Sequence, residues 1–368
     1  MFVSGKNWRL SLAELISFFE ARGVWFRVCQ FSRDFFVVSV ANSAGVLAIG
    51  DLGGILKVGR VVAGFATRIV GKAFLEGDEQ AREQLRREIV GSGLVAGMFG
   101  ASAAKLVFGV SVYCAEDVLR SVSKVIQRFV GSAVKRELAV YGRKSSFMGF
   151  SRVRVQPQLS AVEVLKKGLV ENRAEVLFCV GKKQTVVAVT VAVHDPFEFQ
   201  RRDVGKPVQR KIFALSPRLA KIMVNLALCT RGKLLVDPFC GVGAVLQEAL
   251  LVGARVVGVD INPWCVEAAV ANLEWLKKEY ALEDADYRVV EGDACRLRVL
   301  FGEGVVDCVV TEPDLGPALR QVPTVVYAKR VVSRLEALYS SFLEEAYGVL
   351  KVGGRLVFVS PYVRTRSG

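Results

Sequence analysis

One stretch, residues 234–251 (LLVDPFCGVGAVLQEALL), constrains the fold more than any other. Its first residues have the apolar character of a buried strand and end at Asp237, and its last residues have apolar positions at helical spacing. Between them stand Gly241 and Gly243, which let the backbone turn sharply and let a ligand approach it closely. The stretch therefore predicts a strand, a glycine loop and a helix, the unit that begins a nucleotide-binding α/β sheet.

Two further predicted strands each end in a carboxylate. The strand at residues 255–261 carries Asp260, seventeen residues after Gly243, where a nucleotide-binding sheet places the acid that holds a ribose. The strand at residues 287–291 leads into Asp293, and a carboxylate there suits the amino group of an adenine. Taken singly, each aspartate could equally be a helix cap or a loop residue. Three of them in order at strand ends predict a cofactor site.

The charge of the loop indicates which cofactor binds. The dinucleotide fingerprint has a third glycine where this chain has Leu246, and Asp237 precedes the loop. A carboxylate repels a pyrophosphate and attracts an ammonium group. S-adenosylmethionine has an ammonium group and a ribose but no phosphate. We therefore expect S-adenosylmethionine, with Asp237 at its ammonium group and Asp260 at its ribose hydroxyls; NAD is the less suitable alternative.

The next predicted strand, residues 305–310, leads into the turn TEPDLGP, which contains Thr311, Glu312, Pro313 and Asp314. In an open α/β sheet this turn faces the reactive part of the ligand. Methyl transfer to an exocyclic amine mainly requires positioning, and Glu312 can accept hydrogen bonds from such an amine. We expect the turn to hold the methyl acceptor. The alternative is a Pro-Gly turn that only closes the strand.

The net charge of +14 is unevenly distributed along the chain. Residues 101–222 have a net charge of +13, whereas residues 1–100 have +3 and residues 223–368 have −2. A basic region before a near-neutral one indicates a polyanion that the first part binds and the second part modifies. The candidate RNA contacts are Arg143, Lys144, Lys182, Lys183, Arg201 and Arg202. A solvated basic surface without a partner is the alternative.

The cysteines, the histidine and the hydropathy argue against several kinds of site. The eight cysteines contain no C-x-x-C pair, and His194 is the only histidine, so free thiols are expected rather than disulfides or a metal site. Cys240 in the glycine loop is explained better by its small size than by a role as a nucleophile. The chain has no uncharged apolar segment of membrane-spanning length and no signal-peptide pattern at its start. We expect a cytoplasmic protein without a membrane partner.

The chain divides into four predicted parts. They are an α+β module (residues 1–75), a second α+β domain (76–195), a linker without periodicity (196–211) and a domain of alternating strands and helices (212–368). The pattern predicts a first helix at 11–22, with Ser11 and Glu14 forming a capping box. It also predicts separate helices at 115–130 and 134–141. The last part predicts a parallel sheet with its site at the carboxyl ends of the strands.

The ordered set of motifs resembles one family over nearly the whole chain, the archaeal THUMP-containing tRNA guanine methyltransferases. The resemblance is carried by LSLAEL, LGGILKVGRVV, RRDVGKP, LSPRLAKIMVNLA, DPFCGVGAVLQEALL, VGVDIN, NLEWL and TEPDLGP. It implies an α/β fold in which a Rossmann-like class I methyltransferase domain follows a ferredoxin-like module (1–75) and a THUMP-like RNA-binding domain (76–195). It also implies that the chain uses S-adenosylmethionine to methylate the 2-amino group of a guanosine in tRNA.

The resemblance assigns a role to each motif. The glycine loop and Asp237 would bind the methionine end of the cofactor, Asp260 the ribose and Asp293 the adenine. The Ser216-Pro217 turn would close over the cofactor, and the turn after the fourth strand would face the target base. The implied cofactor-binding set is Ser216, Pro217, Asp237, Phe239, Cys240, Gly241, Gly243, Asp260, Ile261, Asp293 and Ala294.

Two departures from the family pattern leave alternatives open. Related amino-methyltransferases have Asp/Asn-Pro-Pro-aromatic in the turn, where the aromatic ring stacks on the base, whereas this chain has Asp314 at the aromatic position. After residues 356–359 the family adds an antiparallel hairpin that this sequence does not show. We expect an apolar edge strand, covered by a helper subunit or by self-association, or else a truncated product. The alternative functions are a catalytically impaired RNA-binding methyltransferase-like protein and a DNA amino-methyltransferase.

Overall fold

The computed structural model describes residues 1–41, 49–98, 105–149, 157–210, 215–318 and 321–366. The chain forms two compact units, here called the N-terminal and the C-terminal unit. The N-terminal unit comprises Met1–Leu12, Val24–Gly50 and Gly54–Pro196, and the C-terminal unit comprises Ala13–Gly23, Asp51–Gly53 and Phe197–Gly368. A short early segment thus belongs to the C-terminal unit.

The N-terminal unit contains an eight-stranded sheet in the order β2-β3-β1-β4-β8-β7-β5-β6. Its strands are β1 (Phe2–Ser4), β2 (Phe26–Phe31), β3 (Phe35–Val40), β4 (Ile55–Ala66), β5 (Leu106–Cys114), β6 (Ser145–Phe147), β7 (Glu175–Val180) and β8 (Gln184–Val193). Strand β5 runs parallel to β6 and β7, and the other pairs are antiparallel. Because β4 pairs with β8, the two predicted modules within residues 1–195 share one sheet.

Helices of the first 204 residues are α1 (Trp8–Ala21), α2 (Thr67–Gly71), α3 (Glu79–Val90), α4 (Asp117–Ser121), α5 (Ser123–Val140), α6 (Ala161–Lys166) and α7 (Pro196–Val204). The core of the N-terminal unit includes Val110, Ile126, Val130 and Phe178, all fully buried. The prediction of two separate helices at 115–130 and 134–141 was wrong, because α5 runs through Gly131. A Cβ atom at Gly131 would lie 2.5 Å from the Phe147 ring, so glycine allows that ring to pack closely on the helix.

The start of α1 differs from the predicted capping box. The helix begins at Trp8, and the side-chain oxygen of Asn7 accepts a hydrogen bond from the Leu10 backbone NH at 3.2 Å. The Ser11 hydroxyl lies inside the helix and donates to the carbonyl of Asn7. Glu14 is buried and accepts hydrogen bonds from the Gly53 backbone NH and the Asn225 side chain instead.

Part of the predicted linker is also helical. Residues 196–204 form α7, which begins at Pro196, a residue whose fixed φ suits the first helical turn. Glu198 lies in the first turn and two arginines lie in the last, the arrangement that complements the helix dipole. The absence of apolar periodicity in this polar segment hid the helix from a pattern-based prediction.

The C-terminal unit contains a five-stranded parallel sheet in the order β11-β10-β9-β12-β13. Its strands are β9 (Leu234–Asp237), β10 (Arg255–Asp260), β11 (Tyr287–Glu291), β12 (Val306–Thr311) and β13 (Leu350–Phe358), and its helices after α7 are α8 (Pro217–Leu226), α9 (Ala244–Leu251), α10 (Pro263–Glu279), α11 (Leu297–Phe301) and α12 (Val325–Val349). The chain order reverses between β9 and β12, so ligands are expected beyond the carboxyl ends of these two strands.

The two faces of this sheet are covered by different hydrophobic clusters. Leu235 and Val310 belong to the cluster that includes Leu246 of α9 and Leu273 of α10. Val236 follows Leu235 on β9, and Val309 precedes Val310 on β12. Both belong to a second cluster, which includes Phe342 of α12. Strand β13 is an edge strand among the described residues, as the sequence predicts. No described helix combines the length and the apolar character that a membrane span requires.

Candidate functional site

The glycine loop joins β9 to α9 as predicted. Gly241 and Gly243 have φ values of +50° and +86°, a backbone region that favours glycine. The backbone NH of Cys240 donates to the carbonyl of Val259 at 3.0 Å, which holds the loop against β10. A Cβ atom at Gly258 would lie 3.0 Å from the Cys240 sulfur, so small residues on both sides permit this close approach. Burial raises the pKa of the Cys240 thiol far above its ordinary value, which argues against a nucleophilic role.

Two carboxylates lie beside this loop. Asp237, at the end of β9, is only 2% exposed, and burial raises its pKa to about 7. The negative charges of Asp260 and Glu312 contribute to this increase in pKa, whereas a hydrogen bond from the Phe239 backbone NH opposes it. Asp260, at the end of β10, accepts hydrogen bonds from the backbone NH groups of Gly241 and Asn262, each at 2.9 Å. The loop is therefore flanked by negative charge that attracts a cation.

Two cavities at the carboxyl edge of the sheet contain most of the predicted site residues. The larger, of 590 Å³, is lined by segments that follow β10 (Asp260–Asn262), β12 (Glu312–Ala318) and β13 (Pro361–Arg364). The smaller, of 50 Å³, is lined by Asp237, Phe239, Cys240 and Gly241 among others. Arg210, Phe239 and Glu312 line both. The structure thus brings together residues that are up to 154 positions apart in the sequence, all in the C-terminal unit.

Several predicted site residues lie outside the linings of both cavities. They are Ser216, Pro217, Gly243, Asp293, Ala294 and Thr311. Ser216 caps α8 by accepting from the Leu219 backbone NH, and Asp293 is exposed and accepts from the Cys295 backbone NH at 2.8 Å. The backbone NH of Gly292 donates to the Asp260 carbonyl, which places Asp293 next to the end of β10. The roles of these residues in cofactor binding, and that of Thr311 in catalysis, remain predictions.

The turn after β12 presents two acids in different surroundings. Glu312 is half-buried, and burial raises the pKa of its carboxyl although the nearby Arg210 opposes the shift. Asp314 is exposed, and its carboxylate accepts from the Gly316 backbone NH at 2.9 Å and pairs with Arg334 at 3.1 Å. Asp314 is therefore held within the turn, whereas Glu312 lines both cavities.

Arg210 and Tyr362 are among the residues of the larger cavity that the sequence analysis missed. Arg210 falls in the segment predicted as a linker, where five basic residues looked alike and nothing distinguished one. Tyr362 follows β13 in the segment SPYV, outside any recognised motif. Tyr362 can be recognised as a site residue only when the sheet order is known, because that order makes β13 the neighbour of β12.

The predicted RNA contacts fall into exposed and buried groups. Lys144, Lys182 and Lys183 are exposed, and Arg201 is exposed while pairing with Glu279 at 2.9 Å. Arg202 is 5% exposed, and its guanidinium pairs with the buried carboxylate of Glu248 at 2.5 Å. The assignment of Arg202 to an RNA-contacting surface was wrong, because its charge is buried and neutralised inside the C-terminal unit. Arg143 is half-buried and follows α5.

Comparisons with known proteins support the interpretation of the C-terminal unit. Residues 207–365 match the model of a family described as UPF0020, RMKL-like, methyltransferase domain. Residues 207–365, within the C-terminal unit, are thus similar to a methyltransferase domain. The chain is 34% identical over 184 residues to the tRNA (guanine(10)-N2)-dimethyltransferase of Methanothermobacter thermautotrophicus, a match that covers 47% of this chain and 49% of that protein. It is 35% identical over 164 residues to the protein of the same name from Pyrococcus abyssi, with 45% and 44% covered.

The matches cover about half of the length of these curated relatives. The predicted resemblance to archaeal tRNA guanine methyltransferases is confirmed over that share of the chain. The crystal structure of TrmN from Thermus thermophilus is similar over 98% of this chain and 87% of that chain, with a TM-score of 0.53 and 17% identity. This similarity confirms the predicted α/β fold with a Rossmann-like sheet. The ferredoxin-like and THUMP-like parts remain predictions.

Proposed function

We propose that this protein transfers a methyl group from S-adenosylmethionine to the exocyclic 2-amino group of a guanosine in tRNA. The observation that carries the proposal is the row of acids at neighbouring strand ends, Asp260, Asp237 and Glu312, around an open glycine loop and its cavities. The matched relatives are named for dimethylation of the 2-amino group of guanosine 10 in tRNA, which supports the choice of substrate.

The residues beside the glycine loop fit S-adenosylmethionine by charge and by space. Asp237 would bind the ammonium group, and Asp260, whose oxygens are fixed by two backbone NH groups, would bind the ribose hydroxyls. Asp293 and Ala294, which follow the neighbouring strand β11, would bind the adenine. Gly241 has no side chain to block a ligand, since a Cβ atom there would meet only the Arg210 side chain, at 4.0 Å. The bound cofactor supplies an activated methyl group on a sulfonium.

Glu312 would orient the acceptor amine. A half-buried carboxylate can accept hydrogen bonds from the amine hydrogens and so direct the nitrogen lone pair at the methyl group. Burial raises the pKa of Glu312, and a carboxylate with a raised pKa is a stronger base. Glu312 can therefore take up the proton that the amine loses when the new carbon–nitrogen bond forms. Pro313 would fix the backbone of the turn beside it.

The N-terminal unit would dock the tRNA through phosphate contacts. The exposed Lys182 and Lys183 lie in the turn between β7 and β8, and the exposed Lys144 follows α5. Contacts of this kind depend on charge rather than on sequence, as expected for a folded RNA recognised by its shape.

A second candidate function is cofactor and RNA binding without turnover. The turn after β12 favours it, because TEPDLGP contains no aromatic residue that could stack on the base and its Asp314 pairs with Arg334. The two candidates differ only in whether product forms, so a product assay separates them.

The experiment uses the full chain, labelled S-adenosylmethionine and an unmodified tRNA transcript, followed by mass spectrometry of the nucleosides. We expect N2-methylguanosine or N2,N2-dimethylguanosine. The control is the same tRNA with inosine at the methylated position, which lacks the 2-amino group and should accept no methyl group there. Cofactor and tRNA binding without product would favour the second candidate, and product on DNA alone would contradict both.

A further inference from the structure

The turn after β12 has no aromatic ring to hold a flipped base. None of the residues of the turn TEPDLGP is aromatic, and Asp314 is its exposed acid. Its carboxylate is engaged by the Gly316 backbone NH and by Arg334, and its carbonyl accepts from the Tyr339 hydroxyl at 2.8 Å. An acid that is fixed in this way cannot stack on a base, and stacking contributes substantially to holding an unpaired base. Another residue must therefore supply the ring if the protein acts on a base.

The neighbouring strand brings an aromatic ring to the same cavity. Strand β13 runs parallel to β12 with Phe358 opposite Thr311, and the backbone NH of Val359 donates to the Thr311 carbonyl at 3.2 Å. The segments that follow the two strands therefore start side by side. Tyr362, four residues after Phe358, lines the 590 Å³ cavity together with Glu312 and Pro313. It is 90% exposed, so its ring is accessible to a ligand.

We propose that Tyr362 is the base-stacking residue of this enzyme and takes over the role of the aromatic ring that the turn after β12 lacks. The inference rests on the proposed function, since it concerns the base that is methylated. In the sheet order, Asp260, Asp237, Glu312 and Tyr362 follow successive strands β10, β9, β12 and β13. Tyr362 thus follows the strand that β12 separates from the two strands whose acids are assigned to the cofactor.

Phe239 is the other aromatic residue in this cavity and is less suited to the role. Its ring packs edge-on against Phe342, with centroids 5.3 Å apart, and it follows β9 next to Asp237. A base stacked there would compete with the methionine end of the cofactor. Tyr362 has no such competition, because the cofactor acids lie at β9 and β10.

The test compares Tyr362→Ala with Tyr362→Phe. Tyr362→Ala should lower kcat/KM for tRNA by about 10-fold or more, which corresponds to about 1.4 kcal/mol and lies within the range of base–aromatic stacking. Tyr362→Phe keeps the ring and should stay within about threefold of the wild type. Affinity for the cofactor and the melting temperature should not change. Tyr347→Ala is the matched control, because Tyr347 is 85% exposed on α12 and does not line the cavity.

A second measurement does not require turnover. In Tyr362→Trp, the added tryptophan emission, taken as the difference from the wild type, should be quenched when tRNA binds in the presence of the demethylated cofactor. The same change at position 347 should show no quenching. Equal activity of Tyr362→Ala and wild type, or equal responses of the two tryptophan variants, would overturn the assignment. Quenching at position 362 in a protein that forms no product would instead contradict the proposed function and leave the stacking role in place.

Discussion

The acids at the edge of the C-terminal sheet and the lysines of the N-terminal unit are both charged, but the protein surrounds them differently. Asp237 is almost fully buried at a strand end, and Asp260 is fixed by two backbone NH groups. Lys182 and Lys183 stand in an exposed turn. A buried charge acts through one defined geometry, so a single substitution is decisive and salt has little effect. Exposed charges act by their sum and are screened by salt.

The largest expected effect concerns Arg202, which the sequence analysis predicted as an RNA contact and which is a buried charge in the structure. Arg202→Ala would leave Glu248, which is fully buried, with Lys221 as its one remaining ion-pair partner among the described residues. We expect a loss of about 3 kcal/mol in the free energy of unfolding, measured by chemical denaturation. Arg201→Ala is the matched control, because its pair with Glu279 is exposed and should contribute less than about 1 kcal/mol. If both variants lose equally little, less than about 1 kcal/mol, then both arginines behave as exposed charges.

The next effect tests whether Asp237 acts as a buried counter-charge. Asp237→Asn keeps the shape of the side chain and removes the charge that would face the cofactor's ammonium group. Affinity for S-adenosylmethionine, measured by calorimetry, should fall by about 100-fold, as is usual when one partner of a buried charge pair is removed. Asp293→Asn removes an exposed acid and should cost only a few-fold. An Asp237→Asn variant that binds within about threefold of the wild type would remove the main support for the cofactor site.

These two residues also show how far the sequence could predict the site. Asp237 is the last of four residues of strand pattern and precedes a glycine loop, so its place depends on local sequence alone. The bounds of β9 and β11 were predicted correctly for the same reason. The surroundings of Arg202 depend on Glu248, which is 46 residues away, and no local pattern contains that information.

The same limit explains the other differences between prediction and structure. Helix α7 is a short polar segment whose arginines pair with Glu248 and Glu279, both distant in the sequence. At the site itself, local sequence does not identify Tyr362. It becomes a candidate site residue only when β13 is known to lie beside β12. The motifs therefore predicted the cofactor side of the sheet edge well and the acceptor side only in part.

The third prediction concerns how cofactor affinity and stability depend on pH through the buried Asp237. Burial raises the pKa of Asp237 to about 7, and a bound ammonium group requires the ionised carboxylate. Cofactor affinity should therefore rise by about tenfold between pH 6 and pH 8 in the wild type and should change little in Asp237→Asn.

Because the pKa of Asp237 is raised above the value of 3.8 of an unperturbed aspartate, ionisation favours the unfolded state. The free energy of unfolding should thus contain a contribution that decreases as the pH rises from about 4 to about 7. That contribution should be missing in Asp237→Asn, and identical pH profiles of the two proteins would contradict the buried, uncompensated state of this carboxyl.

The smallest expected effect is that of the exposed lysines on tRNA binding. Lys182→Glu combined with Lys183→Glu should weaken tRNA binding by about tenfold at low salt and should lower the slope of log affinity against log salt concentration by about 2, because two phosphate contacts are lost. Cofactor affinity should not change. Lys277→Glu with Lys278→Glu is the matched control, since it reverses two adjacent lysines in the last turn of α10, in the region whose net charge is −2. If both pairs weaken tRNA binding equally, the RNA responds to the total charge of the protein and the basic N-terminal unit is not its docking surface. A loss at Lys182 and Lys183 that persists at high salt would instead mean that these lysines act through a fixed geometry, as Asp237 does.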